Sequence, residues 1–250
     1  MARLVSPKPL KAELAQNVES WFSQNARTLP WRFSSDPYAI WVSEIMLQQT
    51  RVDTVIPRFN SFMKRFPKVQ SLAEADLDEV RSEWAGLGYY RRCHNLWKGA
   101  RFVVNELAGL IPTTRPELQK IPGIGAYTSA AIAALAFDVP VSAVDGNVLR
   151  VIGRVLGKEL SVSSSLLKRQ VQEFGDALVR EGTPSILTQA LMEIGAMVCQ
   201  PSRAQCGVCP PNKGCKASQL EDPTSIPFPA KRKAPEKWTG IVVVAIDKFD

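Results

Sequence analysis

Residues 118–147 read LQKIPGIGAYTSAAIAALAFDVPVSAVDGN, and this stretch decides the fold. The sequence TRPE, which starts at Thr114, is typical of a capping box and predicts the beginning of a short helix. The turn at residues 122–125, PGIG, ends that helix, and the alanine-rich residues 126–137 predict a second one. A helix that starts after such a turn leaves backbone N–H groups free to bind phosphate without reading base sequence. A plain helix connector is the alternative interpretation.

The composition limits the class of protein. The chain has 250 residues, enough for one large domain or two, and a formal net charge of +7, which fits a polyanionic partner. No apolar run reaches the length of a membrane span, and the first residues lack the apolar core of a signal peptide. We therefore expect no membrane association and a location in the cytoplasm (the nucleoid, in a bacterium) or an equivalent intracellular compartment.

A single histidine narrows the chemistry. His94 directly follows Cys93, and consecutive residues of a helix point apart, so the two do not form a nucleophile–base pair. A Ser-His-Asp triad and histidine-ligated zinc are therefore nearly excluded. Acid–base chemistry falls to carboxylates, tyrosine or lysine.

The apolar residues recur with a helical period up to about residue 191, which predicts an all-α fold. Asp36 followed by Pro37 is typical of an N-cap and a first helical residue. Further helices are predicted at residues 11–23, 52–66, 91–107, 147–156, 166–179 and 185–197, with starts near Ser71 and Asp76. Residues 238–248, WTGIVVVAIDK, carry the only clear strand pattern.

The helix that starts after Asp36 carries a carboxylate among apolar residues. Glu44 lies within WVSEIMLQQT, residues 41–50. It is either exposed on a polar face or partly buried with a raised pKa, as a general acid requires. Gln48 and Gln49 follow, and their amides either hydrogen-bond base edges or form a polar helix end.

A glycine-containing turn with aromatic and basic side chains follows at residues 86–92, GLGYYRR. Bulky side chains beside two arginines suit a wedge that enters a stack of DNA bases. The alternative is a loop that packs its aromatic side chains into the core.

Four of the five cysteines lie close together in the sequence, with the spacing C-x6-C-x2-C-x5-C: Cys199, Cys206, Cys209 and Cys215. In a reducing compartment this grouping favours a metal site over disulfides. Four thiolates can hold one zinc ion or an iron–sulfur cluster, and the spacing alone does not separate the two.

In combination, residues 118–147 resemble the helix-hairpin-helix and catalytic aspartate of the DNA glycosylases related to endonuclease III. The cysteine spacing resembles the [4Fe–4S] loop of that superfamily, which makes this cluster the favoured cofactor. Five motifs in order, RTLPWR, EIMLQQT, GLGYY, PGIGAYT and VDGNV, resemble the adenine DNA glycosylase (MutY) branch over roughly residues 10–220. This resemblance implies removal of adenine mispaired with 8-oxoguanine or guanine in double-stranded DNA.

The resemblance also implies roles for individual residues. Glu44 would protonate the adenine at N7, and Asp145 would stabilise the positive charge that develops on the sugar. Tyr127 and Asn147 would support Asp145. The adenine pocket would contain Arg27, Leu29, Trp31, Arg32, Leu47 and Gln189, and the DNA contacts would include Gln49, Leu87, Tyr89, Gly123 and Gly125. A tyrosine at position 127 cannot form the Schiff base that lysine forms in the lyase branch, so we expect a monofunctional glycosylase.

The implied architecture has two lobes with the DNA and the extruded base between them. We expect residues 32–137 to form a helical bundle, and residues 1–31 with 138–222 to form a lobe that carries the metal loop. Residues 223–237 are rich in proline and basic residues and indicate a linker. Residues 238–250 resemble the start of a NUDIX-like domain, most of which is absent from the sequence. We expect a monomer.

Two other functions remain open at this point. The first is a thymine–DNA mismatch glycosylase of the same superfamily, against which the pair Gln48 and Gln49 together with GLGYY argues. The second is a non-catalytic DNA-binding protein with a zinc knuckle, for which the two carboxylates, Glu44 and Asp145, have no evident use.

Overall fold

The computed structural model describes residues 8–230, with side chains from residue 11 onward, and this part of the chain is helical. The helices are α1 (Lys8–Asn25), α2 (Pro37–Leu47), α3 (Val52–Arg65), α4 (Val69–Glu74), α5 (Leu77–Glu83), α6 (Tyr90–Glu106), α7 (Arg115–Leu118), α8 (Ala126–Phe137), α9 (Gly146–Val155), α10 (Ser165–Val179) and α11 (Pro184–Met197). Short 3-10 turns lie at Pro30–Phe33, Cys206–Val208, Ala217–Gln219 and Pro223–Ser225. Within residues 8–230 no β-sheet forms, so the all-α prediction is confirmed for the described part.

The helix starts follow from local capping chemistry, with two corrections to the sequence predictions. Asp36 caps α2 as predicted, because its carboxylate accepts a 3.0 Å hydrogen bond from the Tyr38 N–H. Ser71 does not start a helix, because α4 already begins at Val69 and the Ser71 hydroxyl reaches back to Lys68. Thr114 precedes α7 without capping its backbone, since its hydroxyl donates to Glu117 instead.

The helices bury two apolar clusters. The first contains Trp41, Phe62 and Trp84 and lies among α2, α3, α5, α6 and α8. The second lies among α1, α9, α10 and α11, with Val148 and Ile194 fully buried. Helix α11 packs against both α8 and α9, so it joins the two clusters.

Two glycines permit the close contacts that fix these helices. A Cβ atom at Gly99 in α6 would lie 2.7 Å from the Trp41 ring and 2.8 Å from the Pro122 carbonyl oxygen. A Cβ atom at Gly195 in α11 would lie 2.5 Å from the Asn147 Cβ. Larger residues would therefore push α6 from the turn at residues 122–125, and α11 from the start of α9.

The chain beyond the helices packs against α9 and the residues that follow it, where Cys215, Ala217 and Ile226 form a small apolar cluster against Val155. The Phe228 N–H donates to the Leu160 carbonyl, and the Ile226 carbonyl accepts from Arg154 in α9. The first residues of the predicted linker thus pack against the helices. The predicted strand at residues 238–248 and the start of a further domain at residues 238–250 lie outside the described residues. None of the helices in the described part is long and apolar enough to span a lipid bilayer.

Candidate active site

An open cavity of about 1100 Å³ lies where α2, α8, α9 and α11 approach one another. It collects most of the residues that the sequence singled out: Arg27, Leu29, Trp31, Arg32, Glu44, Leu47, Gln49, Gly123, Gly125, Tyr127, Asp145, Asn147 and Gln189. Leu87, Tyr89 and the four cysteines do not line it. The cavity is large enough for a base and its sugar, and apolar walls with a few converging polar groups are typical of a ligand site.

Glu44 is a buried carboxyl group, 6% exposed, in the middle of α2. Burial raises its pKa, a hydrogen bond from Tyr127 opposes this shift, and the nearby charge of Asp145 adds to it, so that the pKa of Glu44 is about 7. The alternative of an exposed, polar-face Glu44 is therefore excluded. A carboxyl group with this pKa is protonated about half the time at neutral pH, which suits a general acid.

Tyr127 in the first turn of α8 faces Glu44. Its hydroxyl donates a 2.7 Å hydrogen bond to Glu44 Oε2, whereas the sequence predicted that it would support Asp145. Burial and the neighbouring carboxylates Glu44 and Asp145 raise the pKa of Tyr127, so it remains a neutral phenol. Tyr127 therefore positions the acid in this structure.

Asp145 is the N-cap of α9, and its carboxylate is held at both oxygens. Oδ1 accepts a 2.7 Å hydrogen bond from the Val148 N–H, and Oδ2 accepts a 2.9 Å hydrogen bond from Asn147 Nδ2. Burial raises the pKa of Asp145, and these hydrogen bonds oppose the shift by favouring the charged form. The helix start thus presents a fixed carboxylate to the cavity, and the Asn147 amide holds one of its two oxygens.

The loop before Asp145 is fixed by α10, which the sequence did not indicate. The Ser142 N–H donates a 2.8 Å hydrogen bond to Asp176, and the Ser142 carbonyl accepts a 2.9 Å hydrogen bond from Gln172. Gln172 also donates to Asp176, so the two side chains together hold the backbone of one residue, Ser142, on both sides. These contacts limit the movement of the backbone three residues before the carboxylate.

Arg150 extends the contacts of Asp145 along α9. Its Nη2 donates 2.8 Å hydrogen bonds to Asn147 Oδ1 and to the Gly195 carbonyl, and its Nε donates a 2.8 Å hydrogen bond to the Cys199 carbonyl. Asn147 in turn donates to Asp145. One continuous set of hydrogen bonds therefore connects the cavity carboxylate with the first residue of the cysteine loop.

Glu193 in α11 is a cavity residue that the sequence analysis missed. Its side chain is 1% exposed and accepts hydrogen bonds of 2.8 Å from both Arg27 Nη2 and Arg32 Nη2. Burial disfavours its charge, but the hydrogen bonds from the two arginines outweigh this effect and lower the pKa of Glu193 to about 2. The motif RTLPWR contains both arginines, but nothing near it pointed to a carboxylate some 160 residues later.

The turn after α2 and the glycine turn before α6 differ in which side chains they expose. Gln49 is exposed at the end of α2, whereas Leu87 is only 4% exposed and belongs to the first core cluster. Tyr89, by contrast, is 63% exposed. In this conformation Tyr89, and not Leu87, presents its side chain to solvent.

The turn at residues 122–125 has the geometry of a helix-hairpin-helix. Gly123 has a φ angle of 85°, in the left-handed region, where glycine is favoured. Gly125 is the N-cap of α8 and makes no side-chain cap, so the first N–H groups of α8 point out of the helix end. This end of α8 lies beside the cavity, where it can contact a phosphate.

The four cysteines lie near one another after α11. Burial and then the thiols of Cys199, Cys215 and Cys206 raise the pKa of Cys209. Arg154 Nη1 donates to Cys199 Sγ over 3.3 Å. Among the described residues no three His, Cys, Asp or Glu side chains are close enough together to hold a single metal ion.

The fold and cavity agree with comparisons to known proteins. Residues 42–175, more than half of the chain, match the family described as HhH-GPD superfamily base excision DNA repair protein, and the chain therefore belongs to this superfamily. Its curated relatives include adenine DNA glycosylases from several organisms. It is 45% identical to that of Mus musculus over 86% of this chain and 45% of the relative. Identity to that of Homo sapiens is 46%, over 80% of this chain and 38% of the relative.

The chain thus spans less than half the length of these mammalian relatives. The adenine DNA glycosylase of Buchnera aphidicola subsp. Schizaphis graminum is 34% identical, over 92% of this chain and 67% of the relative. Among solved structures, a thermostable thymine-DNA glycosylase matches with a TM-score of 0.75 and 27% identity, over 84% of this chain and 97% of that one. Endonuclease III trapped on DNA matches with a TM-score of 0.69 and 21% identity, over 85% and 97%, which supports the fold alone.

Proposed function

We propose that this chain removes adenine mispaired with 8-oxoguanine or guanine from double-stranded DNA by hydrolysing the N-glycosidic bond. The observation that carries the proposal is Glu44, a buried acid with a pKa of about 7 in a cavity that also contains a fixed carboxylate, Asp145. The names of the curated relatives supply the base, adenine. DNA binds as an extended partner, with the target base turned out of the stack into the cavity.

The chemistry is divided between the two carboxyl groups. Glu44 donates its proton to the adenine, at N7 by the resemblance, so that the base leaves as a neutral group. Asp145, in its carboxylate form, stabilises the positive charge on the sugar while water attacks. Arg27, Arg32 and Glu193 supply donors and acceptors at the cavity wall, where they hydrogen-bond the edge of the base.

The reaction is expected to stop at an abasic site. Tyr127 is a phenol beside Glu44, and it offers no amine to form a Schiff base with the sugar. The product strand should therefore break only after alkali, and borohydride should trap little covalent complex. Efficient trapping through a lysine would contradict the monofunctional assignment.

We also propose that Cys199, Cys206, Cys209 and Cys215 hold a [4Fe–4S] cluster. The four thiols are donors of the right chemical type, and Cys199, Cys215 and Cys206 all raise the pKa of Cys209. Arg154 donates to Cys199 Sγ, which would compensate a thiolate charge, and the loop would draw the thiols closer together around a cluster. When bound, the cluster would cross-link the loop after α11 and would serve the structure. The loop also carries Arg203, Lys213 and Lys216, which are exposed and suited to phosphate contacts.

Thymine opposite guanine is the second candidate substrate, favoured by the match to a thymine-DNA glycosylase structure. The test is to identify the base that the chain releases from duplexes with A opposite 8-oxoguanine, A opposite G and T opposite G. Release of adenine from the first two supports the proposal. Release of thymine alone would replace it with the second candidate, and release of neither base would indicate a DNA-binding protein without this activity.

A further inference from the structure

Arg92 in α6 connects the two turns that carry Gln49 and Tyr89. Its guanidinium is half-buried, and its hydrogen bonds within the described residues go to groups in or beside these turns. Nη1 donates to the carbonyls of Ile45 (2.9 Å), Met46 (3.1 Å) and Gln48, and Nη2 donates to Thr50 Oγ1 (3.0 Å) and to the carbonyls of Leu87 (3.0 Å) and Gly88 (3.4 Å). One nitrogen thus holds the end of α2, and the other joins that end to the glycine turn.

Aromatic contacts reinforce this arrangement. The guanidinium carbon lies 5.3 Å from the ring centre of Tyr89 and 5.8 Å from that of Trp84. Trp84 is fully buried, and its indole N–H donates a 3.1 Å hydrogen bond to the Gly88 carbonyl. The exposed Tyr89 is therefore anchored from the core through Arg92.

Each of the two turns contains one residue with a strained backbone, and each of these residues directly follows a residue whose carbonyl Arg92 binds. Gln49 has a φ angle of 57° and Tyr89 a φ angle of 48°, which residues with a Cβ rarely adopt. Such conformations persist only where surrounding contacts impose them, and they cluster at functional sites. Arg92 binds the carbonyls of Gln48 and Gly88, which directly precede the two strained residues.

We propose that Arg92 is a positioning residue that fixes the distance between the Gln49 and Tyr89 side chains and thereby sets how strongly the base opposite the adenine controls excision. This inference rests on the proposed function. Specificity is a difference between two binding free energies, so it is sensitive to the placement of the reading groups. A planar guanidinium can serve both turns at once, whereas a lysine ammonium offers a single point charge.

The test compares Arg92→Gln and Arg92→Lys with Arg101→Gln. Arg101 lies on the same helix, and its guanidinium is 4.8 Å from the Trp97 ring centre. Replacing Arg101 therefore removes one positive charge and one cation–π contact, as replacing Arg92 does. Single-turnover adenine release is measured from duplexes with adenine opposite 8-oxoguanine, opposite guanine and opposite a tetrahydrofuran abasic analogue. The third duplex reports the chemistry without an opposite base.

In Arg92→Gln the preference for 8-oxoguanine over guanine should fall about tenfold, as expected when hydrogen bonds from a charged group no longer fix one geometry. Release opposite the abasic analogue should stay close to that of Arg101→Gln. In Arg92→Lys the preference for 8-oxoguanine over guanine should lie between that of the unaltered chain and that of Arg92→Gln. If Arg92→Gln does not fold, Arg92→Lys provides the test. An unchanged preference in the folded variants, or an equal loss on all three duplexes, would overturn the inference.

The outcome also separates this inference from the function on which it rests. If the unaltered chain releases no adenine from any duplex, the proposed function fails and this inference fails with it. If the unaltered chain releases adenine with a preference that the Arg92 variants retain, the inference alone fails.

Discussion

The hydroxyl of Tyr127 in α8 donates a 2.7 Å hydrogen bond to Oε2 of Glu44 in α2. The two residues are 83 positions apart in the sequence, and both line the cavity. A hydrogen bond donated to a carboxylate favours the ionised form, so Tyr127 limits how far burial raises the pKa of Glu44. The pH range in which the acid holds its proton is therefore set jointly by burial and by this phenol.

Tyr127→Phe should shift the pH dependence of excision upward. Without the phenol, the ionised form of Glu44 loses a donor, so its pKa rises above about 7 and the acid stays protonated to higher pH. The alkaline fall of the single-turnover rate should then occur at higher pH. Tyr90→Phe, at an exposed tyrosine, is the matched control and should leave the profile unchanged. A fall at the same or a lower pH would contradict this role of Tyr127.

Glu44→Gln should raise stability at alkaline pH. The pKa of this carboxyl group is near 4.5 ordinarily and about 7 in the fold, so the folded protein holds the proton more tightly. Its contribution to stability is present below pH 4.5 and is lost as the pH rises through 7, a loss of about 3 kcal/mol. At alkaline pH the glutamine variant should therefore unfold at higher urea concentration than the unaltered chain.

The difference between Glu44→Gln and the unaltered chain should disappear in acid, where both side chains are neutral. Glu74→Gln, at an exposed glutamate, is the control and should change stability little at either pH. If Glu44→Gln is no more stable than the unaltered chain at alkaline pH, then ionised Glu44 does not destabilise the fold.

The sequence predicted the elements that depend on local chemistry. Asp36, Pro37 and the alanine-rich residues 126–137 encode their helices through capping and propensity, which act over one or two turns. Glu44 and Asp145 were predicted because each lies in a distinctive motif. The contacts among motifs were not predictable, because a pattern of helical spacing says which face is apolar but not which helix it meets.

Three residues illustrate that limit. Glu193 looks like a lone acidic residue of α11, and only the packing of α11 brings it to Arg27 and Arg32. Leu87 was predicted to contact DNA by the resemblance, but in this conformation the turn folds its side chain into the first core cluster. Thr114 looked like a backbone cap, but its hydroxyl is taken by a side chain, that of Glu117.

Arg150→Gln should slow excision although Arg150 lies behind the carboxylate. The change removes the donors to Asn147 and to the Cys199 carbonyl, so Asp145 loses the support of a fixed Asn147. We expect a fall of at least about tenfold in the single-turnover rate, as is typical when the partner of a functional ligand is removed. Arg169→Gln, at an exposed arginine, is the control. A rate equal to that of the control would show that excision does not depend on the support of Asp145 by Arg150.

The cysteine loop should bind iron. The purified protein should be yellow-brown with about four irons per chain, because four clustered thiolates match a cubane cluster. Cys199→Ser should lose iron and impair folding or DNA binding more than the chemical step. Cys93→Ser, at a buried cysteine of the first core cluster, should keep its iron. Stoichiometric zinc without iron in protein prepared anaerobically would contradict the cluster assignment.

In the proposed reaction Glu44 as acid and Asp145 as carboxylate break the bond to adenine. Its most direct measurement is the single-turnover rate of adenine release from a duplex with A opposite 8-oxoguanine, for the unaltered chain, Glu44→Gln and Asp145→Asn. Both variants keep the shape of the side chain, so duplex binding should persist while release falls at least about 100-fold. Release by either variant at nearly the rate of the unaltered chain would contradict the claim.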